Sequence, residues 1–221
     1  MNADLHYINL LQHIELFGDV VDTRNAITKS SFDVPPIAFC SAPLVTLRKT
    51  AWKMALREME WFLSGDSKCP TELLAWWSGQ LDARGRYCSG YGQQMRMYAG
   101  YYDQIETLIS GLRSSPHSRR HILTTWHASQ MAMITMLNNN PNTPTTCHHT
   151  LTQLFLREGR LSMKTYQRSA DVLLGVPHNW IQSWALLLWL CKQVGERVVP
   201  GQMIWQFGDA HIYQERSHLD T

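Results

Sequence analysis

The segment GDAHIY at 208–213 places a carboxylate, an imidazole and a phenol within a few positions of one another. If this segment is an extended strand, His211 and Tyr213 lie on the same face, because side chains alternate along a strand. Both side chains can donate and accept hydrogen bonds. The pair is therefore suited to holding a sugar hydroxyl.

A second polar cluster lies in KTYQRSADVLLGVPHNW at 164–180, where Arg168, Ser169 and Asp171 stand close together. An ordinary amphipathic segment does not gather charged and hydroxyl side chains immediately before a Leu-Leu-Gly break. Asn179 adds an amide at the end of the same segment. These side chains together indicate a binding site.

Cys147 follows a loop rich in proline and threonine and precedes His148 and His149. A thiol at a loop-to-strand junction beside imidazoles can act as a nucleophile. Most single cysteines, however, are small buried apolar groups. Adjacent strand residues also point in opposite directions, so His148 is not automatically a base for Cys147. From these residues alone both interpretations stay open.

Glu58 has apolar neighbours at helical spacing, namely Met54, Ala55, Trp61 and Phe62. A carboxylate on the buried face of a helix is unfavourable unless it is paired or protonated. Its pKa should therefore be raised, which suits a general acid or base. A structural carboxylate tied to a buried arginine fits the same spacing.

Arg119 and Arg120 form a basic pair at the start of a predicted strand. Guanidinium groups bind phosphate with two parallel hydrogen bonds, although on its own the pair is better explained as a solvated turn. His117 and His121 are four residues apart, but Pro116 argues against a helical metal pair. We predict no metal site.

Composition excludes several classes of protein. The chain has 221 residues, a net charge of +2 and five widely spaced cysteines without a CxxC motif. The balanced charge argues against binding nucleic acid or a membrane surface. The cysteine pattern favours a reducing compartment, and the first residues do not resemble a signal peptide. We therefore expect a cytoplasmic protein.

Hydrophobic periodicity predicts a single α+β domain over 1–221. Helices are predicted at 4–17, 48–63, 102–113 and 178–194, with a short one around 71–78 in a loop-rich region, 66–100. Short strands and loops are predicted over 19–46, strands at 121–126, 151–157, 161–166 and 202–207, and a loop at 137–146. The turn Glu158-Gly159 should form a hairpin, and Pro200-Gly201 should form a turn before the last strand.

In their order, these segments resemble the thymidylate synthase family. YQRSADVLLGVPHN at 166–179 and GDAHIY at 208–213 closely resemble its two signature segments. APLVT at 42–46, EMEWFLSGDS at 58–67, SGYGQQMR at 89–96, DQIETLISGLRSSPHSRR at 103–120 and Cys147 follow in family order. The resemblance covers almost the whole chain from about residue 10.

The resemblance implies an obligate homodimer built on a bent, mostly β layer packed with helices, with a sheet face used for dimerisation. It also implies transfer of a one-carbon unit from 5,10-methylenetetrahydrofolate to C5 of a pyrimidine deoxynucleotide. In such enzymes the folate carries the carbon, while the protein supplies orientation and electrostatics.

Two residues carry the covalent chemistry that the resemblance implies. Cys147 resembles the nucleophile that adds to C6 of the base, and Arg168 the arginine beside that thiol and the nucleotide phosphate. A nearby cation lowers the pKa of a thiol, and the thiolate attacks. His148 or His149 fills the histidine position after the nucleophile.

Asn179 resembles the amide that reads the pyrimidine edge, where one donor and one acceptor match O4 and N3–H of uracil. In the related deoxycytidylate hydroxymethylases this position is aspartate, so asparagine favours dUMP. Arg24 and Ser169 resemble phosphate ligands, and Arg119 and Arg120 resemble the pair that reaches the phosphate in the partner subunit. His211 and Tyr213 resemble the pair that binds the 3′-hydroxyl, and Glu58 and Tyr91 resemble the groups near C5. The positions that resemble folate contacts are Trp77, Asp171, Leu174, Gly175 and His178.

The sequence also departs from the family pattern. His178 stands where the family has phenylalanine, Gln80 replaces a second tryptophan, and the loop of Arg24 lacks a Gly/Thr run. Thymidylate synthases continue with a strand and a tail that closes over the folate. If Thr221 is the true end of the chain, we expect that closure to be absent.

These departures favour a wetter site, since a missing closure and the replacement of phenylalanine by His178 would both admit or orient water. A dry site gives a methyl product, whereas water that adds to an exocyclic methylene at C5 gives a hydroxymethyl product. Viral hydroxymethylases of this family also have short C-termini, which would place this enzyme in a host cytoplasm. We therefore hypothesise a dUMP hydroxymethylase, narrowly ahead of a thymidylate synthase. A non-catalytic nucleotide-binding relative and a Cys/His hydrolase explain fewer of these residues.

Overall fold

A computed structural model of the chain describes residues 2–23, 26–87, 90–128 and 149–214, without the side chain of His149. These residues form a seven-stranded sheet packed against helices. The α+β class predicted from the sequence is confirmed.

The α-helices are α1 (Ala3–Phe17), α2 (Trp52–Ser64), α3 (Leu74–Trp77), α4 (Tyr91–Arg96), α5 (Gln104–Ser114) and α6 (Val176–Val194). The strands are β1 (Asp19–Asp22), β2 (Ile27–Ser31), β3 (Ile37–Phe39), β4 (Ile122–Thr124), β5 (His149–Arg157), β6 (Arg160–Asp171) and β7 (Val199–Tyr213). Single turns of 3-10 helix, at Thr71–Leu73 and Ser78–Gln80, flank α3.

The strand order in the sheet is β1-β2-β7-β6-β5-β4, and β3 also pairs with β7. Strands β6 and β7 pair in parallel, whereas the other pairs are antiparallel. A parallel pair needs a crossover connection. Helix α6 provides it, since it follows β6 in the chain and precedes β7.

The predicted hairpin at Glu158-Gly159 is confirmed. Arg157 pairs with Arg160, so the connection has two residues. Both of them have a positive φ, 51° at Glu158 and 72° at Gly159. This is the conformation of a type I′ turn, whose twist matches that of the flanking strands.

The predicted turn at Pro200-Gly201 is wrong, because both residues lie inside β7. Pro200 pairs with Leu161 just before a register shift between Leu161 and Met163. A proline is tolerated at such an irregularity, where its missing N–H does not interrupt the ladder. A Cβ on Gly201 would collide with Ser162 Oγ, so glycine allows β7 to approach β6 closely.

Several predicted element bounds shift in the structure. Helix α6 begins two residues earlier than predicted, with Pro177 in its first turn, where the missing N–H is harmless. Helix α5 begins at Gln104, since the side chain of Asp103 accepts the N–H of Glu106 and caps it. Helix α4 was not predicted, because two glycines flank Tyr91 and mask a helical pattern of only six residues.

The core lies between the sheet and the helices, with α6 at its centre and buried residues from α1 and α5 as well. Trp180 on α6 and Trp205 on β7 are both fully buried, and the Trp180 ring lies 4.8 Å from that of Phe39. Helix α6 also packs on α2. This packing brings the first turns of α6 against the side of α2 that carries Glu58. None of the helices in the described ranges is both long and apolar enough to cross a membrane.

Candidate active site

A cavity of about 920 Å³ opens where α2, α6 and the ends of β6 and β7 meet. Its lining includes eleven of the predicted site residues: Glu58, Trp77, Tyr91, Ser169, Asp171, Leu174, Gly175, His178, Asn179, His211 and Tyr213. The fold therefore brings together segments that are far apart in the sequence.

Glu58 is 8% exposed and is held from two sides. The Trp77 indole N–H donates to its Oε1, and the Gln182 amide donates to its Oε2. Burial raises the pKa of Glu58, while these two hydrogen bonds oppose the rise. The carboxyl group therefore has the burial and the raised pKa of a general acid or base.

Asn179, in the first turn of α6, is joined to Glu58 through one side chain. Its Nδ2 lies 3.4 Å from Gln182 Oε1, and its Oδ1 accepts from Gln167 Nε2 at 3.1 Å. Both glutamines line the cavity. Neither was predicted as a site residue, although Gln167 lies inside the quoted segment beside Arg168.

Asp171 ends β6 and shapes the turn that leads into α6. Its Oδ1 accepts the backbone N–H groups of Leu173 and Leu174 at 3.1 and 3.0 Å. Its Oδ2 makes no hydrogen bond with any residue that the structure describes. Since Asp171 lines the cavity, this oxygen is placed to accept from a ligand.

His178 lies on the cavity wall with both ring nitrogens bound to the backbone. Nδ1 is 2.7 Å from the carbonyl oxygen of Leu174, and Nε2 is 3.2 Å from the amide nitrogen of Ala51. Desolvation lowers the pKa of this imidazole, so it is neutral, with the proton on Nδ1. The predicted role of His178 in orienting water is not supported by this geometry, because no ring nitrogen remains for a water.

His211 and Tyr213 share one end of the cavity, with their rings 5.2 Å apart. His211 Nδ1 is 2.5 Å from Asp209 Oδ1, and Ser30 donates its hydroxyl to Asp209 Oδ2. Burial would raise the pKa of Asp209, but the hydrogen bonds from His211 and Ser30 lower it below its ordinary value. An ionised Asp209 therefore anchors the imidazole.

Aromatic rings form another part of the wall. The Trp77 ring lies 4.7 Å from that of Tyr87 and 5.9 Å from that of Phe62. Trp76, which was not predicted, lines the same cavity and stands edge-on to His178 at 5.2 Å. Planar ligand rings pack well on such surfaces.

Two basic residues at the cavity were also not predicted from the sequence. Arg48 and Lys49 precede α2, and both line the cavity. Arg48 donates to the carbonyl oxygen of Leu173. Their signal in the sequence was a basic pair just ahead of a helix, which is common on solvated surfaces.

Three predicted arginines do not belong to the cavity lining. The Arg168 guanidinium lies over the Trp126 ring, 5.3 Å from its centroid. Arg119 and Arg120 are exposed at the start of β4. Arg24, Cys147 and His148 lie outside the described residues, and of His149 only the backbone is described, so the roles predicted for them stay predictions.

The described residues offer no group of three or more histidine, cysteine, aspartate or glutamate side chains placed to hold a metal ion. The cavity instead combines a buried carboxylate, paired amides and aromatic faces. These groups suit planar ligands that also carry hydrogen-bond donors and acceptors.

The α+β fold places a buried carboxylate, amides and aromatic rings around one cavity large enough for a small-molecule site. The sequence model of a protein family described as thymidylate synthase matches residues 5–220. The chain belongs to this family. It is a one-carbon transferase, whose family uses methylenetetrahydrofolate as co-substrate and dUMP as acceptor.

Proposed function

We propose that this enzyme joins the one-carbon unit to C5 of dUMP through a covalent adduct between Cys147 and C6 of the base. One observation carries the proposal. Glu58 and Asn179 lie on the same cavity wall and are joined through Gln182. A base whose edge is read by Asn179 is thereby brought close to the buried carboxylate.

The residues of the cavity then have separate tasks. Among the described residues, the Asn179 amide makes one hydrogen bond through its oxygen and one through its nitrogen, which leaves one lone pair and one N–H for N3–H and O4 of uracil. His211 and Tyr213 bind the 3′-hydroxyl. Glu58 accepts and returns protons near C5, where a raised pKa suits transfer in both directions.

The co-substrate fits the remaining wall. Trp76, Trp77 and Leu174 offer flat or apolar surface, and Asp171 Oδ2 offers an acceptor for ring N–H groups. When bound, methylenetetrahydrofolate supplies the carbon and, in reductive methylation, the hydride as well. The cavity volume lies near the upper end of the range for ligand pockets, which suits two ligands at once.

The proposed product is 5-hydroxymethyl-dUMP. After carbon transfer the base carries an exocyclic methylene at C5. Water adds its oxygen to that carbon and loses a proton, and the Cys147 thiolate leaves C6. Polar side chains, among them Gln80, Ser169 and Gln182, contribute to the cavity lining, and Glu58 is placed to take the proton.

Reductive methylation to dTMP is the second candidate. One observation favours it, namely that both ring nitrogens of His178 are bound to the backbone. This histidine therefore holds no water through its ring, and the wall beside it is closer to that of a dry site.

The mass of the product distinguishes the two candidates. Purified enzyme is incubated with dUMP and methylenetetrahydrofolate, and the nucleotide is identified by mass spectrometry. We expect 5-hydroxymethyl-dUMP without dihydrofolate, whereas dTMP with equimolar dihydrofolate would establish the second candidate. Release of tritium from 5-tritiated dUMP reports one-carbon transfer in either case, and it should be lost in Cys147→Ala.

The same enzyme is proposed to act as a homodimer. On one face of the sheet, Leu151, Phe155 and Ile122 are 42%, 49% and 42% exposed. Alternate residues of β5 point outward, so these side chains form an apolar surface on the side away from the helices. Such a surface is suited to a second copy, with Arg119 and Arg120 reaching the partner's phosphate site.

Subunit mixing tests this arrangement. Cys147→Ala protein is mixed with a variant that carries both Arg119→Glu and Arg120→Glu, each nearly inactive alone. If the arginines serve the partner's site, mixed dimers regain one complete site and tritium release returns. If they serve their own subunit's site, no mixed dimer contains a complete site and activity stays lost.

A further inference from the structure

Gln182 links the two polar groups that face the pyrimidine. It lies on α6 and is 1% exposed. Its Oε1 faces Asn179 Nδ2 at 3.4 Å, and its Nε2 donates to Glu58 Oε2. A glutamine turned over in this position would lose both contacts, so its orientation is fixed.

Two tryptophans set the direction of this hydrogen-bond chain, because an indole nitrogen can only donate. Trp205 donates to Gln167 Oε1 at 3.0 Å, so Gln167 must present its Nε2 to Asn179. Asn179 then presents Nδ2 to Gln182. At the other end, Trp77 donates to the second oxygen of Glu58.

This direction matters for base recognition. Uracil presents an acceptor at O4 and a donor at N3–H, whereas cytosine presents the reverse pattern at N4 and N3. An Asn179 amide that turned over would suit cytosine. Gln167 restrains the amide at its oxygen, and Gln182 restrains it at its nitrogen.

The surroundings of Glu58 contain few other titratable groups. Cys69 is buried, and its pKa is raised first by desolvation and then by the charge of Glu58, so it stays a thiol at neutral pH. Tyr87 and Tyr91 line the same cavity, as does the neutral His178. On the exposed side of α2, Arg57 pairs with Glu60 and Glu72. Gln182 and Trp77 are thus the described side chains that donate hydrogen bonds to the Glu58 carboxylate.

We propose that Gln182 is a positioning residue that couples pyrimidine recognition by Asn179 to proton transfer by Glu58. The selectivity part of this inference rests on the proposed use of dUMP. The part that concerns Glu58 does not, because the Gln182–Glu58 contact exists without a ligand.

Two substitutions separate the contacts. Gln182→Met has a similar size but neither donor nor acceptor. It should move the titration of Glu58 and the acidic limb of tritium release to higher pH, because an ionised carboxylate loses a donor. It should also lower the preference for dUMP over dCMP, measured as a ratio of kcat/KM, by about fivefold. Gln182→Glu also removes the donor to Glu58, so it should shift the acidic limb as well. It keeps an acceptor for Asn179, so the preference for dUMP over dCMP should be retained.

Gln104→Met is the matched control. Gln104 is also buried and makes three hydrogen bonds, to Gln94 and to Thr124, outside the cavity. Its loss should lower the melting temperature without changing the acidic limb or the dUMP preference. A change of the same size in this control would show that loosening of the fold explains the Gln182 effects, and would overturn the proposal.

Carboxyl carbon NMR of Glu58 in the ligand-free protein gives a readout that needs no turnover. An unchanged titration of Glu58 in folded Gln182→Met would overturn the proposal, and if that variant does not fold, the same result in Gln182→Glu would do so. Equal loss of dUMP preference in both variants would overturn the assigned contact with Asn179. Wild-type protein that titrates as expected but releases no tritium from dUMP would instead refute the proposed function.

Discussion

The imidazole of His211 is held by Asp209, whose Oδ1 lies 2.5 Å from Nδ1 of the ring. Ser30 donates to the other oxygen of the carboxylate. The proton on Nδ1 is therefore fixed, and Nε2 is left as the nitrogen that can meet a ligand. His211 is 7% exposed and lines the cavity, so its anchoring should matter for the sugar rather than for C5.

Replacement of Asp209 by alanine should raise KM for dUMP by about tenfold, because the ring loses a charge-assisted hydrogen bond. The change in kcat should be smaller, since the substitution alters neither the contacts of the uracil ring nor Glu58. Asp209→Asn keeps an acceptor for Nδ1–H and should have a weaker effect. With 2′,3′-dideoxyuridine monophosphate, which lacks the 3′-hydroxyl, wild type and Asp209→Ala should have similar KM values. A penalty that persists with this analogue would contradict a role through the 3′-hydroxyl.

Glu58→Gln should lower the rate of tritium release by about 10²–10⁴-fold, the usual range for losing a general acid or base. The amide can still accept from Trp77, so the fold should be retained. Circular dichroism of the variant checks this point. A rate within a factor of about two of wild type would remove Glu58 from the chemistry.

The pH dependence of the free energy of unfolding should report the ionisation of Glu58. The folded pKa of Glu58 is raised above its ordinary value of 4.5. Its proton therefore adds stability that is complete below that value and is lost as the pH rises through the folded pKa. Glu58→Gln lacks this loss. The difference in free energy of unfolding between variant and wild type should move in favour of the variant between acidic and neutral pH. Denaturant unfolding at a series of pH values tests this, and parallel curves would contradict the raised pKa.

Trp77→Phe should shift the acidic limb of tritium release to higher pH, because Glu58 loses the indole donor to Oε1 while an aromatic ring remains. Trp76→Phe is the matched control. Trp76 lines the same cavity and is 41% exposed, but its ring contacts His178 and not Glu58. Equal shifts in the two variants would mean that the aromatic wall, and not the hydrogen bond, sets the pKa.

Glu58 also shows which features of the site could be predicted from the sequence. Apolar neighbours at helical spacing predicted its burial and the direction of its pKa, and both are confirmed. Its partners were not predicted, since Trp77 and Gln182 lie 19 and 124 residues away in the chain. Contacts of this kind depend on how α6 packs on α2, which local periodicity does not specify.

Position 200–201 shows the opposite case, in which a local rule was applied and failed. Proline followed by glycine usually ends a strand. Here both residues extend β7, because a register shift accommodates the proline and the missing side chain of Gly201 lets Ser162 approach. The tertiary pairing of β6 with β7 outweighed the turn preference. His178 gives a further example, since its type suggested water binding but its backbone partners could only be found from the fold.

The two central strands, β6 and β7, approach each other closely at Gly208, and a substitution there tests this contact. A Cβ at this position would lie 2.6 Å from Tyr166 Oη and 2.7 Å from the carbonyl oxygen of Arg168. Because the second of these atoms belongs to the backbone of β6, the strands would have to move apart. We expect Gly208→Ala to lower the free energy of unfolding by about 1–3 kcal/mol. It should also weaken nucleotide binding, since Asp209 and His211 follow on the same strand. Gly79→Ala is the control, because a Cβ there meets no atom of the described residues within 4 Å. Denaturant unfolding of both variants measures the difference, and equal stabilities would show that β6 and β7 do not require glycine at position 208.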